Sequence, residues 1–212
     1  MKGILGLLKA KTRGGKAVEE GGGDSVFFTT AFAGQGVDDA MLVPWEARAV
    51  EVGAKRMAAS RGGKLLQALW SKDKYMAHLD KDAVERMERF FEFAAVAPNR
   101  DVIRQDEYGN FMVVLLTGTI AVDRVQPWGE HLRLAETRPG DILGEMSLLD
   151  SGIRFSACTT LTDCEIAVLS AEAMDDMMTK DPQLAASLVA LLARKLSLRL
   201  RVVSARLSDS QK

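Results

Sequence analysis

Gly144-Glu145-Met146-Ser147-Leu148-Leu149-Asp150-Ser151-Gly152-Ile153-Arg154 is the stretch on which the reading of this chain turns. Gly140-Asp141 ends a strand candidate at a turn, and Gly144 lets the backbone approach a ligand closely. Glu145 to Leu149 has the length of a single helical turn. A helix N-terminus presents free N–H groups and partial positive charge, so it favours an anion. Glu145 supplies a pair of acceptor oxygens suited to a sugar hydroxyl, and Arg154 supplies a planar fork of donors suited to phosphate oxygens. The two needs of a sugar phosphate therefore meet within one short segment.

On both sides of this segment the pattern is that of short strands. Val102-Ile103, Phe111 to Leu116, Thr119 to Val122, Leu132-Arg133-Leu134, residues 156–160 and residues 164–169 are strand candidates. Turn-like segments divide them at 106–110, Thr117-Gly118, Pro127-Trp128-Gly129 and Pro139-Gly140-Asp141. Many short strands between turn signals predict a small antiparallel roll. Helical signals lie outside it. Pro44 can open a helix, with Ala47, Val50, Ala54 and Met57 at three- and four-residue steps. Gly62-Gly63 is expected to interrupt, after which Leu65, Leu66, Leu69 and Trp70 start a second piece. Asp82 and Glu85 read as a capping box before the stripe Val84, Met87, Phe91. From Asp181-Pro182 to about Leu207 a long helix is expected, with Leu184, Leu188, Leu192, Leu196, Val203 and Leu207 near one face. The fold class is α+β: an antiparallel, jelly-roll-like β-roll flanked by helices, with a long C-terminal helix. The expected organisation is a disordered, basic, glycine-rich N-terminus over 1–40, a helical extension over 41–79, and a ligand-binding domain over 80–207. Within that domain the roll spans about 93–170 and the C-terminal helices 171–207.

Composition narrows the classes. The chain has 212 residues, 47% of them apolar and 27% charged, with a formal net charge of −1. That is the balance of a soluble globular protein with no global field for nucleic acid. Charge is uneven: Lys2, Lys9, Lys11, Arg13 and Lys16 cluster at the start, and Arg194, Lys195, Arg199, Arg201 and Arg206 cluster near the end without an acid among them. The second cluster reads either as a solvated helix face or as a seam for a second subunit or an acidic partner. The first nine residues read either as a frayed terminus or as a peripheral contact with a membrane or partner. Their apolar core is too short for a signal peptide, and no apolar run reaches the ~20 residues of a membrane span, so a cytoplasmic protein is expected. Cys158 and Cys164 are too few for a disulfide framework, fit no metal motif, and read as buried small hydrophobes in a reducing compartment. No nucleophile–base pair or metal set accompanies the segment, so neither enzyme activity nor a cofactor is expected. His78 and His131 are assigned no chemistry.

Residues 144–156 resemble the phosphate-binding cassette of the cyclic-nucleotide-binding domain family. The family pattern is Gly-Glu, a short helix containing Leu, then Arg at a fixed distance followed by small residues, and the step from Gly144 to Arg154 matches it. The glycine turn, apolar strand and Gly of Tyr108 to Val122 agree as well, and the resemblance spans about 80–207. It implies that Glu145 holds the ribose 2′-hydroxyl and Arg154 the cyclic phosphate. Backbone N–H groups around Gly144, Glu145 and Ser156 would add to the pocket, together with Met146 of the cassette helix. Leu134 and Ala135 match the strand that touches the base. The long helix matches the family's lid, which can also pair two subunits into a homodimer. The implied role is a sensor of a 3′,5′-cyclic nucleotide, cAMP before cGMP or a cyclic dinucleotide, that regulates an effector protein through its C-terminal helix. Phe155 departs from the small residue usual after the Arg, and Ile153 stands where many members have Pro. The Phe155 ring either narrows the pocket or points into the core, while Ser156 retains a hydroxyl. The alternative is a degenerate interaction module in which Glu145 and Arg154 merely pair with each other. Relatives that act as transcription factors place a helix-turn-helix after the long helix. Only Ser208 to Lys212 remain here, so no DNA-binding domain is expected.

Overall fold

The computed structural model describes residues 27–76 and 79–209. The expectations for residues 1–26 and for His78 lie outside the described residues. The helix and strand order is α1 (Phe27–Gly34), α2 (Trp45–Val52), β1 (Lys55–Arg56), α3 (Ala59–Trp70), α4 (Lys81–Glu88), β2 (Glu92–Val96), β3 (Asp101–Ile103), β4 (Phe111–Thr117), β5 (Ile120–Val125), β6 (His131–Glu136), β7 (Ile142–Leu143), α5 (Glu145–Asp150), β8 (Ala157–Thr160), β9 (Cys164–Ser170), α6 (Ala171–Lys180) and α7 (Pro182–Asp209). The strands form two antiparallel sheets, in the orders β1-β2-β9-β4-β7 and β3-β8-β5-β6. The architecture is the antiparallel roll with flanking helices and long C-terminal helix that the sequence predicts.

β4 shows why its sequence is an unbroken apolar run. Phe111, Val113 and Leu115 face the interior of the roll, where they meet Val102, Ile103, Ile120, Leu143, Cys158, Ile166 and Val168. Met112, Val114 and Leu116 face the other way, onto a helical layer that includes Leu66, Trp70, Met87, Leu184, Leu188 and Leu192. A strand buried on both faces has no use for alternation. α7 contributes to this layer only through its first half, where Leu184, Leu188, Leu191 and Leu192 are buried. Among the described residues no helix is long and apolar enough to cross a membrane.

Four local expectations need correction. Residues 27–40, expected to be disordered, contain α1 and a short 3-10 turn at Asp39–Met41. α1 is held from afar. The carboxylate of Asp175 on α6 accepts from the backbone N–H groups of Phe27, Phe28 and Thr29 at 2.8, 2.7 and 2.9 Å, and from the Thr29 hydroxyl at 2.8 Å. Phe28 and Phe32 are buried beneath it. No local period signals such a helix, because its cap lies 146 residues and more away in sequence. Gly62-Gly63 does not interrupt α3 but lies inside it. A side chain at Gly62 would collide with the ring of Phe93, and one at Gly63 with the Glu88 carboxylate, so the glycines permit close packing at a cost of about 1 kcal/mol each in helix propensity. The cap of α4 is Asp80, whose side chain accepts from Ala83 N at 2.6 Å, while Asp82 sits in the first turn. The helical stripe expected through Phe91 stops with α4 at Glu88: Phe91 lies between α4 and β2, buried in the helical layer, and in β2 Phe93 faces the helices while Ala94 and Val96 face the roll interior.

Asp175→Ala removes one charged set of acceptors from α1. Hydrogen bonds to a charged group are worth about 1.5–3 kcal/mol. Denaturant unfolding is expected to show a loss of that order, and amide exchange at 27–34 is expected to quicken more than exchange in β4 or β9. Unchanged exchange at 27–34 would show that Asp175 does not hold the helix.

Candidate functional site

The cassette begins where β7 ends. Gly144 adopts a left-handed conformation, φ 74° and ψ 7°, as the N-cap of α5, and Ser151 (φ 55°) closes the same helix. Glycine is required at 144 on two counts. The positive φ disfavours a side chain, and a Cβ there would lie 2.5 Å from Arg154 Nη1 and 2.8 Å from Ile103 Cδ1.

Arg154 is turned inward. Its Nη1 donates to the Gly144 carbonyl at 2.6 Å and its Nη2 to the Phe111 carbonyl at 2.5 Å. The guanidinium carbon stands 4.8 Å from the Phe111 ring centroid. Its backbone N donates to Glu107 O at 2.8 Å, and its carbonyl accepts from Asp106 N at 2.9 Å. One residue thus ties the head of the cassette, the start of β4 and the 106–109 turn together. Burial lowers the Arg154 pKa to about 10, which still leaves it a cation at neutral pH. Gly109 packs so closely against this guanidinium that a Cβ would stand 2.7 Å from Nη2.

Glu145 is buried, with 3% of its surface exposed, and its partner is not Arg154. Arg199, on α7, donates from Nη1 to Glu145 Oε1 and from Nη2 to the Ile142 carbonyl at 2.8 Å. Four residues earlier on the same helix, Lys195 Nζ reaches the Gly140 carbonyl at 3.3 Å and Asp73 at 3.2 Å. α7 therefore grips the segment 140–145 from outside through two cations. Burial pushes the Glu145 carboxyl above its ordinary value; the adjacent Arg199 charge opposes this without cancelling it. The direct Glu145–Arg154 pair considered from the sequence does not form among the described residues.

The remaining expected residues are more open. Met146 on α5 is 48% exposed. The Phe155 ring does not enter the core: it is 51% exposed and lies beneath Arg124 of β5, whose guanidinium carbon is 3.9 Å from the ring centroid. Ser156 occupies the bend before β8. Leu134 and Ala135 lie on β6, an edge strand exposed along its whole length, where Ala135 faces Val122 and Leu134 falls in a register shift. Both cysteines are buried, and burial pushes the Cys158 thiol up to about 12, which keeps it a thiol. Sequence reasoning missed Arg199, Lys195 and Arg124 as parts of the site. For the first two a signal existed: Leu188, Leu192, Lys195 and Arg199 follow one another at steps of four, three and four, which is a single helix stripe.

Residues 94–181 match the family described as cyclic nucleotide-binding domain. The chain is 30% identical over 107 residues to the cyclic AMP receptor protein of Thermus thermophilus, covering 50% of each chain. It is 28% identical over 95 residues to a CRP-like cAMP-activated global transcriptional regulator of Mycobacterium tuberculosis, covering 45% of this chain and 42% of that one. It thus spans about half the length of these curated relatives. Among solved structures, a cyclic nucleotide-binding domain from Methylobacillus flagellatus superposes with a TM-score of 0.67 at 21% identity, over 72% of this chain and 86% of that one. With the αL glycine, the buried glutamate and the arginine ten residues on all in place, residues 94–181 of this chain are a domain of the cyclic nucleotide-binding family.

Proposed function

We propose that the chain is a sensor of a 3′,5′-cyclic nucleotide, with cAMP as the first ligand to test, and that it acts on a partner protein rather than by catalysis. The observation that carries this reading is the buried Glu145, which opens the cassette helix α5 and is gripped by α7 through Arg199. A carboxylate has two oxygens and room for several donors. Arg199 takes Oε1, so a ribose hydroxyl can use the same carboxylate without evicting the helix. Ligand and α7 then stabilise each other through one shared group. Binding favours the docked position of the helix by the difference in affinity between docked and undocked states, which is all a ligand can contribute. The degenerate-module alternative is favoured by Arg154, whose Nη1 and Nη2 are each engaged by a backbone carbonyl.

The second half of α7 supplies an output surface. Leu196, Leu200, Val203 and Leu207 follow at four, three and four residues, the spacing of a coiled-coil seam. Leu200, Val203 and Leu207 are more than half exposed. On this register Arg199 and Arg206 flank the seam on one side and Ser197 and Ser204 on the other, so a parallel second copy meets serine and not like charge. We propose a homodimer through this stripe.

Calorimetric titration with cAMP, cGMP and cyclic di-GMP tests the sensor reading; no heat with any of them at high micromolar concentration sinks it. Given binding, Glu145→Gln is expected to weaken it by about tenfold or more, from the loss of a charged hydrogen bond worth about 1.5–3 kcal/mol. Arg199→Ala is expected to weaken it as well, and a tighter complex would mean that Arg199 competes with the ligand instead.

Acidification gives a second check. Protonated Glu145 loses its charge-assisted acceptor role, and its raised pKa means this happens at a higher pH than for an ordinary glutamate. Affinity is expected to be flat at neutral pH and to fall on acidification before the usual glutamate range, and Glu145→Gln is expected to abolish that fall. Light scattering is expected to give a dimer for the wild type and a monomer for Leu200→Glu; a monomeric wild type rejects the seam.

A further inference from the structure

β5 carries one core-facing row, Ile120, Val122 and Arg124, at alternate positions. Ile120 is buried in the roll interior and Val122 packs against it, so the third position brings Arg124 to the mouth of the roll on the same face. There its guanidinium carbon lies over the ring of Phe155, 3.9 Å from the centroid, and its Nη1 donates to the Phe155 carbonyl. Phe155 directly follows Arg154. Across the sheet, Arg124 is in register with the half-exposed Leu132. Arg133 on the opposite face is neutralised by Asp123 and Glu136, whereas Arg124 has no carboxylate within ion-pair distance among the described residues. A cation that is aligned by an aromatic ring, partly open to solvent and lacking a counter-ion is suited to an anionic ligand.

The chemistry of Arg154 makes the position consequential. Arg154 directs Nη1 and Nη2 inward to Gly144 and Phe111, and only 3% of it is exposed. Arg154 is buried, whereas Arg124 is partly open to solvent against the residue that directly follows Arg154. We propose that Arg124, held on Phe155, is a ligand-contacting residue that takes the phosphate of the bound nucleotide from the open side of the cassette. Phe155 is then the positioning residue that fixes the plane of the guanidinium, which accounts for a bulky ring where the family resemblance implies a small side chain. The inference rests on the reading of the cassette as a cyclic-nucleotide site, and it names a second cation for the ligand's charge.

The test uses the full chain with the cyclic nucleotide that gives heat with the wild type. Arg124→Gln keeps a neutral donor for the Phe155 carbonyl and removes the charge; Arg124→Lys keeps the charge and removes the guanidinium from the ring. Arg124→Gln is expected to weaken binding about tenfold or more and to flatten the dependence of Kd on salt, whereas Arg124→Lys keeps the salt dependence. Unfolding midpoints matching the wild type show that both variants fold. If Arg124→Gln binds with wild-type affinity and salt dependence while Glu145→Gln loses binding, the cassette reading stands and the role of Arg124 is overturned. If the wild type binds no cyclic nucleotide, both fall.

Discussion

The arrangement depends on the buried guanidinium of Arg154. A buried cation is tolerated only where its hydrogen-bonding capacity is met. Here the Gly144 and Phe111 carbonyls accept from Nη1 and Nη2, and the Phe111 ring lies 4.8 Å from the guanidinium carbon. Meeting it fixes three segments at once: the turn into α5, the first residue of β4, and the 106–109 turn whose backbone pairs with residue 154 itself. Because Phe111 also packs on Trp45 of α2 at a ring separation of 5.6 Å, the same residue ties the cassette to the N-terminal helices. Removing the guanidinium would take a charged donor from both carbonyls and leave Gly144 O with only the 3.4 Å bond from Leu148 N, so Arg154 has a structural duty besides any duty to a ligand.

A second buried charge, Glu145, performs a different task. It stands at the head of a helix too short to be stable on its own, and its countercharge comes from a helix 54 residues away in sequence. The pair Glu145–Arg199, supported by Lys195, makes α7 a neighbour of the cassette and not merely of the sheet. α7 itself changes character along its length. Its first half is buried against the helical layer, its middle holds the cassette through two cations, and its last turns expose leucine and valine. Core packing, cassette contact and an exposed apolar stripe thus follow one another along a single helix.

Much of this was legible in the sequence, for physical reasons that can be named. The roll was legible because turn residues punctuate short apolar runs, and the cassette because Gly, Glu and Arg are each demanded by a specific geometry. What was not legible depends on distant partners. α1 has no period of its own and is capped by Asp175 from α6. Gly62-Gly63 reads as a break because nothing local reveals that Phe93 and Glu88 crowd that face of α3. Glu145 and Arg154 sit at family spacing, which suggests that they can pair; their burial on different sides of the turn, with Arg199 on one and backbone carbonyls on the other, is a tertiary fact. The environment of Phe155 follows likewise from strand register, since Arg124 meets it only once β5 lies beside β8.

The central claim is that ligand and C-terminal helix share one carboxylate. Amide hydrogen exchange of the full chain with and without saturating cAMP tests it most directly. The account predicts added protection at 144–148 and 154–157 together with added protection over the Lys195–Arg199 turn of α7. Protection confined to the cassette, with α7 unchanged, would contradict it.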